Sequence, residues 1–166
     1  MKKSSNLKVY LTITVLVAFW CAGILAAPLL SHAGLHDGAE ILYGMFSRVC
    51  HQNDIHSFHL AGEKCGVCIR CSAIYFGFLA GLVLLPLSGA LRRMRIPNPL
   101  VLVAVMIPML VDVAFNISGL HISTTLTRLA TGILFGGIMP WCIVPLLIDA
   151  YSQIFRKRTF IHEHLE

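Results

Sequence analysis

VYLTITVLVAFWCAGILAAPLL, residues 9–30, holds no charged side chain. As a helix rising about 1.5 Å per residue, it crosses roughly 30 Å of hydrocarbon. Lys2, Lys3 and Lys8 stand in front of it. A secretory signal is the rival reading, because Ser31-His32-Ala33 resembles a small-residue cleavage site. Signal cores are shorter, about 7–15 apolar residues, so the stretch reads as an uncleaved transmembrane helix. Either reading puts the residues that follow outside the cytoplasm.

The same texture recurs along the chain. Apolar blocks run over about 72–91, 100–117 and 126–148, so the expected fold is all-α. It is a four-helix transmembrane bundle in one domain spanning 1–166, with a Cys/His-rich extracytoplasmic loop over 31–70. Composition agrees: 57% of residues are hydrophobic and 13% charged, against about 25% charged in soluble domains. Inside the loop, Asp37 to Arg48 reads as a short helix with Ile41, Leu42, Met45 and Phe46 on a face suited to the membrane interface. Pro97 and Pro99 mark a turn and a fresh helix start.

The net charge of +5 is gathered at block ends. The N-terminal lysines, then Arg92, Arg93 and Arg95, then Arg156-Lys157-Arg158 all fall on one side if four helices span. The positive-inside rule then makes both termini cytoplasmic, in a multi-pass protein of the cell membrane. The partner implied is the lipid bilayer, not nucleic acid. No phosphate loop, serine triad or nucleic-acid module is recognisable.

The chemistry is concentrated in CHQNDIHSFHLAGEKCGVCIRC, residues 50–71. Cys65, Cys68 and Cys71 are spaced C-x2-C-x2-C where the loop enters the second span. As a metal site, Cys50, His51, Cys68 and Cys71 form a set of four suited to tetrahedral zinc, with Cys65 and His56 as substitutes. Copper(I) or iron accept the same donors. As a redox site, the C-x-x-C pair exchanges disulfides, and Arg70 and Lys64 raise its thiolate fraction. Structural disulfides are a third reading in an oxidising compartment. Cys21 and Cys142 lie in apolar helices and read as small buried hydrophobes.

Arg48-Val49-Cys50-His51-Gln52, Ser57-Phe58 and Val67-Cys68-Ile69-Arg70-Cys71-Ser72-Ala73-Ile74-Tyr75-Phe76-Gly77 resemble an uncharacterised family of small prokaryotic integral membrane proteins. Pro108, Asp112, Arg128, Thr131, Gly132 and Gly136 extend the resemblance to roughly residues 40–150. It implies a multi-helix membrane protein and no particular activity. It also implies Cys50, Cys68 and Cys71 as the shared thiols, with His51 beside them. Cys65 is an extra, and His56 stands where the family usually has arginine.

Ionisable groups inside a bilayer are costly and usually functional. Asp112 lies about 10 Å inside the third span and Arg128 about 5 Å inside the fourth. With Tyr75 and Asn116 they form an expected intramembrane polar pocket beneath the thiols, in which Asp112 and Arg128 meet. Gly77-x3-Gly81 and Gly132-x3-Gly136 are expected to pack the second span on the fourth. The function expected first is binding of a soft metal ion, zinc foremost, at the outer face. The enzymatic alternative is a quinone-coupled thiol–disulfide oxidoreductase. The remaining one is a transporter or assembly subunit with structural disulfides.

Overall fold

The computed structural model describes residues 2–89, 98–119 and 123–163. The expected end of the second block at Leu91, Arg92, Arg93, Arg95 and the turn at Pro97 lie outside the described residues.

Among the described residues there are five α-helices and one hairpin. α1 covers Lys2–His32 and α2 covers His36–Ser47. A single 3-10 turn at Asp54–His56 leads into β1, Ser57–Leu60, and β2, Glu63–Cys68. α3 covers Ile69–Leu84, α4 Pro99–Ile117 and α5 Thr125–Glu163. The protein is an α-helical membrane protein. Asn6–His32, Leu100–Ile117 and Thr125–Gln153 are long and apolar enough to cross a membrane. Their outward faces stay apolar: Phe19 is 81% exposed and Leu100 69%. Such surface is stable against lipid, not water.

α3 differs from the expected second span. It starts three residues before Ser72 and stops at Leu84. Leu85 keeps helical backbone at φ −55° and ψ −45°, and the stop comes at Pro86, which has no N–H to continue the ladder. Gly89, at φ +69°, then turns the chain. At 16 residues the helix is about 24 Å long.

The segment 57–68 is not the loop expected from sequence. β1 and β2 pair antiparallel through Leu60 with Glu63 and His59 with Lys64, and Ser57 opposes Cys68 across a bulge. The two-residue turn places Ala61 at φ +54° and Gly62 at φ +87°. Positive φ at both central positions matches the right-handed twist of a hairpin. The Ala-Gly turn carries little signal, since alanine seldom takes the first position.

α4 begins as the prolines suggest. Asn98 caps it by accepting from the Leu100 amide at 3.0 Å, with Pro99 in the first turn. α3 packs most extensively on α5, through the glycines expected to join them. A β-carbon on Gly77 would stand 2.9 Å from the Ile133 carbonyl oxygen, and one on Gly132 2.6 Å from the Ala73 side chain. Backbones therefore touch directly along this seam. α1 is pinned to α3 where the Tyr10 hydroxyl donates to the Leu82 carbonyl at 2.9 Å. Tyr10, Leu82, Leu85, Val144 and Ile148 form one buried core. A second, around Ile24, Phe46, Cys50 and Val67, lies at the end of the bundle that carries the hairpin.

Candidate metal centre

Cys50, Cys68 and Cys71 come together at the hairpin end of the bundle, their Sγ atoms all within 4.8 Å of one another. A tetrahedral zinc with bonds of about 2.3 Å sets its sulfurs about 3.8 Å apart, so small side-chain adjustments suffice. All six cysteines are free thiols.

Three local devices bring the trio together. The last turn of α2 holds Cys50, whose amide donates to the Phe46 carbonyl at 3.0 Å. The chain then reverses at Gln52, which takes a left-handed φ of 49°. That conformation is uncommon for a side-chain-bearing residue and must be held by its surroundings. Gln52 supplies the hold itself. Its side-chain amide donates to the Tyr43 carbonyl at 2.8 Å and the Gly66 carbonyl at 2.9 Å, clamping α2 to β2. Finally, Cys68 is the N-cap of α3, with extended backbone at φ −66° and ψ 163°. The strand-to-helix corner brings Cys68 beside Cys71 in the first turn.

The environment favours sulfur as an acceptor. Cys50 Sγ receives the amides of Cys68 at 3.2 Å and Gln52 at 3.5 Å. Cys68 is drawn down to about 5, first by a hydrogen bond from the Cys71 thiol. Burial opposes this, while the first-turn amides of Cys71 and Arg70 and the Cys50 thiol support it. No capping hydrogen bond closes at Cys68, so the amides act mainly through the positive end of the helix. The walls are apolar: Ile24, Phe46 and Val67 are fully buried, and Trp20, Leu42 and Tyr75 pack around them. Trp20 meets Phe46 edge-on at 5.1 Å and Tyr75 at 5.7 Å.

The other candidates fall elsewhere. His51 is exposed and stands outside the thiol group. Cys65 is buried, which pushes its thiol up. It lines an apolar cavity of about 270 Å3 with Phe58, Leu60, Phe76 and Leu129. His56 faces Arg128, Nε2 to Nη2 3.4 Å, and His59 faces Asp54 at 3.2 Å. Lys64 lies over the Tyr43 ring, 5.9 Å from its centroid.

The expected polar pocket divides in two. Tyr75 belongs with Trp20 on the thiol side. Asp112 pairs with Arg70, not Arg128, and also accepts from the Ser123 hydroxyl at 2.8 Å. Arg128 donates through Nε to the Ser123 carbonyl at 3.2 Å and through Nη2 to Asn116 Oδ1 at 3.4 Å. The reason is placement. Arg70 is in the first turn of α3, on the side facing α4 and α5, and it reaches the acid before Arg128 can. Arg70 therefore serves Asp112, not the thiols. Sequence reasoning missed this pair, and also Ser123 and the clamp of Gln52. A lone acid within a span, with a cation at the neighbouring helix start, was the available signal for the first.

Comparison with known proteins points to a family of membrane proteins. Residues 50–142 match the profile of a family described as predicted membrane protein (DUF2085). An uncharacterized protein of Methanocaldococcus jannaschii, MJ1492, is 30% identical over 154 residues, which is 90% of this chain and 99% of that protein. No solved structure matches the chain. With the profile covering more than half its length, thiols included, the chain belongs to this prokaryotic membrane-protein family.

Proposed function

We propose that the protein binds a soft metal ion, zinc first, through Cys50, Cys68 and Cys71 at the outer face of the membrane, with His51 as fourth ligand. The observation that carries this reading is the convergence of three thiols from separate elements into one group. The amides on Cys50 Sγ and the lowered Cys68 thiol support it, because a metal takes thiolates. Three sulfurs leave one position of a tetrahedron open. His51 adjoins Cys50 and is free of the core, whereas Cys65 and His56 are engaged elsewhere.

The proposal includes a bundle of four spanning helices. α3 is the short member, seated on α5 and extended by the turn after Leu84. Both termini are then cytoplasmic, and Tyr75, Asp112, Asn116 and Arg128 lie in the outer half of the membrane.

Elemental analysis and thiol titration of one detergent-purified sample test the reading. About one zinc per chain is expected, lost in a Cys68→Ser/Cys71→Ser double variant. Metal-free protein with its thiols blocked would sink it. Thiol–disulfide exchange is the second reading, favoured by the low Cys68 thiol next to Cys71. It expects a trappable mixed disulfide at Cys68 and reduction of added quinone by a reduced substrate.

A further inference from the structure

Across the first turn of α3 from the thiols lies a second cluster that the metal reading does not use. It joins Arg70 of α3, Asp112 and Asn116 of α4, Ser123 and Arg128 at the start of α5, and His56 from the 3-10 turn. Two guanidiniums share this cluster with one carboxylate, which pairs with Arg70. Arg128 is only 6% exposed, yet among the described residues its partners include no carboxylate: Ser123 O, Asn116 Oδ1 and His56 Nε2. The last two contacts are 3.4 Å long, near the limit of a hydrogen bond. Arg70 spends its Nη2 on Asp112 and Ser123, while its Nε is buried with no partner.

The other described acids do not complete this balance. Asp54 pairs with His59, Asp37 and Glu40 are exposed on α2, Glu63 sits at the hairpin turn opposite Leu60, and Asp149 lies near the far end beside Gln153. The amino terminus of α5 adds further positive potential. A buried guanidinium without an anion is expensive, and arginine resists neutralisation by proton loss. A planar fork with spare N–H groups is also the geometry that grips a carboxylate or phosphate.

We propose that Arg70 and Arg128 form a binding site for an oxyanion, a phosphate or carboxylate group, that supplies the missing negative charge. The site is independent of any metal at the thiols. A lipid phosphate and a small soluble oxyanion offer the same recognised group to this pair.

The full-length protein in an uncharged detergent, stripped of lipid, is titrated with inorganic phosphate while its unfolding midpoint is followed. The expected result is a saturable rise that chloride at equal ionic strength does not reproduce. Native mass spectrometry of gently extracted protein identifies the source. One phospholipid per chain, displaced by phosphate, assigns the site to a headgroup; lipid-free protein that still takes up phosphate assigns it to a soluble anion. Arg128→Gln weakens phosphate by at least about tenfold, and Asp112→Asn strengthens it by a similar factor, because it removes the competing charge. A cluster that merely braces the helices predicts neither change. Wild-type protein with no saturable response to phosphate and no retained anionic lipid overturns the proposal, without any variant having to fold. So does an Arg128→Gln protein that binds phosphate as wild type does.

Discussion

The two sides of the first turn of α3 solve opposite problems. Toward α1 and α2, Cys68 and Cys71 meet Cys50 inside apolar walls of Ile24, Phe46 and Val67. Toward α4 and α5, Arg70 enters a polar network with Asp112 and Ser123. On the first side, apolar packing crowds three like donors together. On the second, charges of both signs select one another. One helical turn thus carries a thiol group set against apolar walls and a network set by electrostatic matching, a few residues apart.

The largest expected effect breaks the second side alone. Asp112→Ala leaves Arg70 buried without its acid and should cost about 3–5 kcal/mol, read as unfolding in mixed micelles. Metal content should stay stoichiometric in the fraction that folds; its loss would show that the two sides are not separable.

Next, Cys50→Ser removes a proposed ligand and leaves the arginine side untouched. The expected loss of metal affinity exceeds about 100-fold, the upper end of what outer-shell changes cause. Competition with a chromophoric chelator measures it, and a change under about threefold would remove Cys50 from the site.

Gln52→Ala is expected to be milder. It deletes the clamp between the Tyr43 and Gly66 carbonyls and frees a left-handed residue. Metal affinity should fall about 10–100-fold with stoichiometry kept, as for a group that holds ligands without touching the metal. Wild-type affinity in this variant would show that the apolar walls suffice.

The smallest effect concerns protons. In metal-free protein, Cys68 should alkylate at a nearly constant rate from pH 8 down to about pH 6 and slow only near 5, where its thiol titrates. Because that value lies below the ordinary thiol near 9, ionised Cys68 stabilises the fold. The contribution is complete above pH 9 and drains away as pH falls toward 5. Alkylation that rises steadily between pH 7 and 9 would show an ordinary thiol.

What was legible in the sequence follows the same division. Long apolar runs gave three of the helices, because crossing hydrocarbon imposes a length that composition records directly. The C-x2-C spacing singled out Cys68 and Cys71, which are joined by local backbone geometry. Cys50 was reachable through its shared pattern, which also set Cys65 aside as an extra, but the separation of His51 from the trio was not legible. That depends on the hairpin, whose Ala61-Gly62 turn is a weak signal, and on Gln52, whose left-handed backbone no propensity suggests. The pairing of Arg70 with Asp112 was hidden for another reason. It is decided by which helix lies nearer, and depth along a span says nothing about direction around it.

The glycine seam between α3 and α5 also sets an order of events. α3 is the shortest of the apolar helices, and its close backbone contacts are with Ile133, Gly137 and their neighbours. Those residues leave the ribosome long after Cys50, Cys68 and Cys71. During synthesis the three thiols are therefore present before the helix carrying two of them has its final seat. Until the last helix arrives, the nascent chain holds its most reactive groups in an unfinished frame.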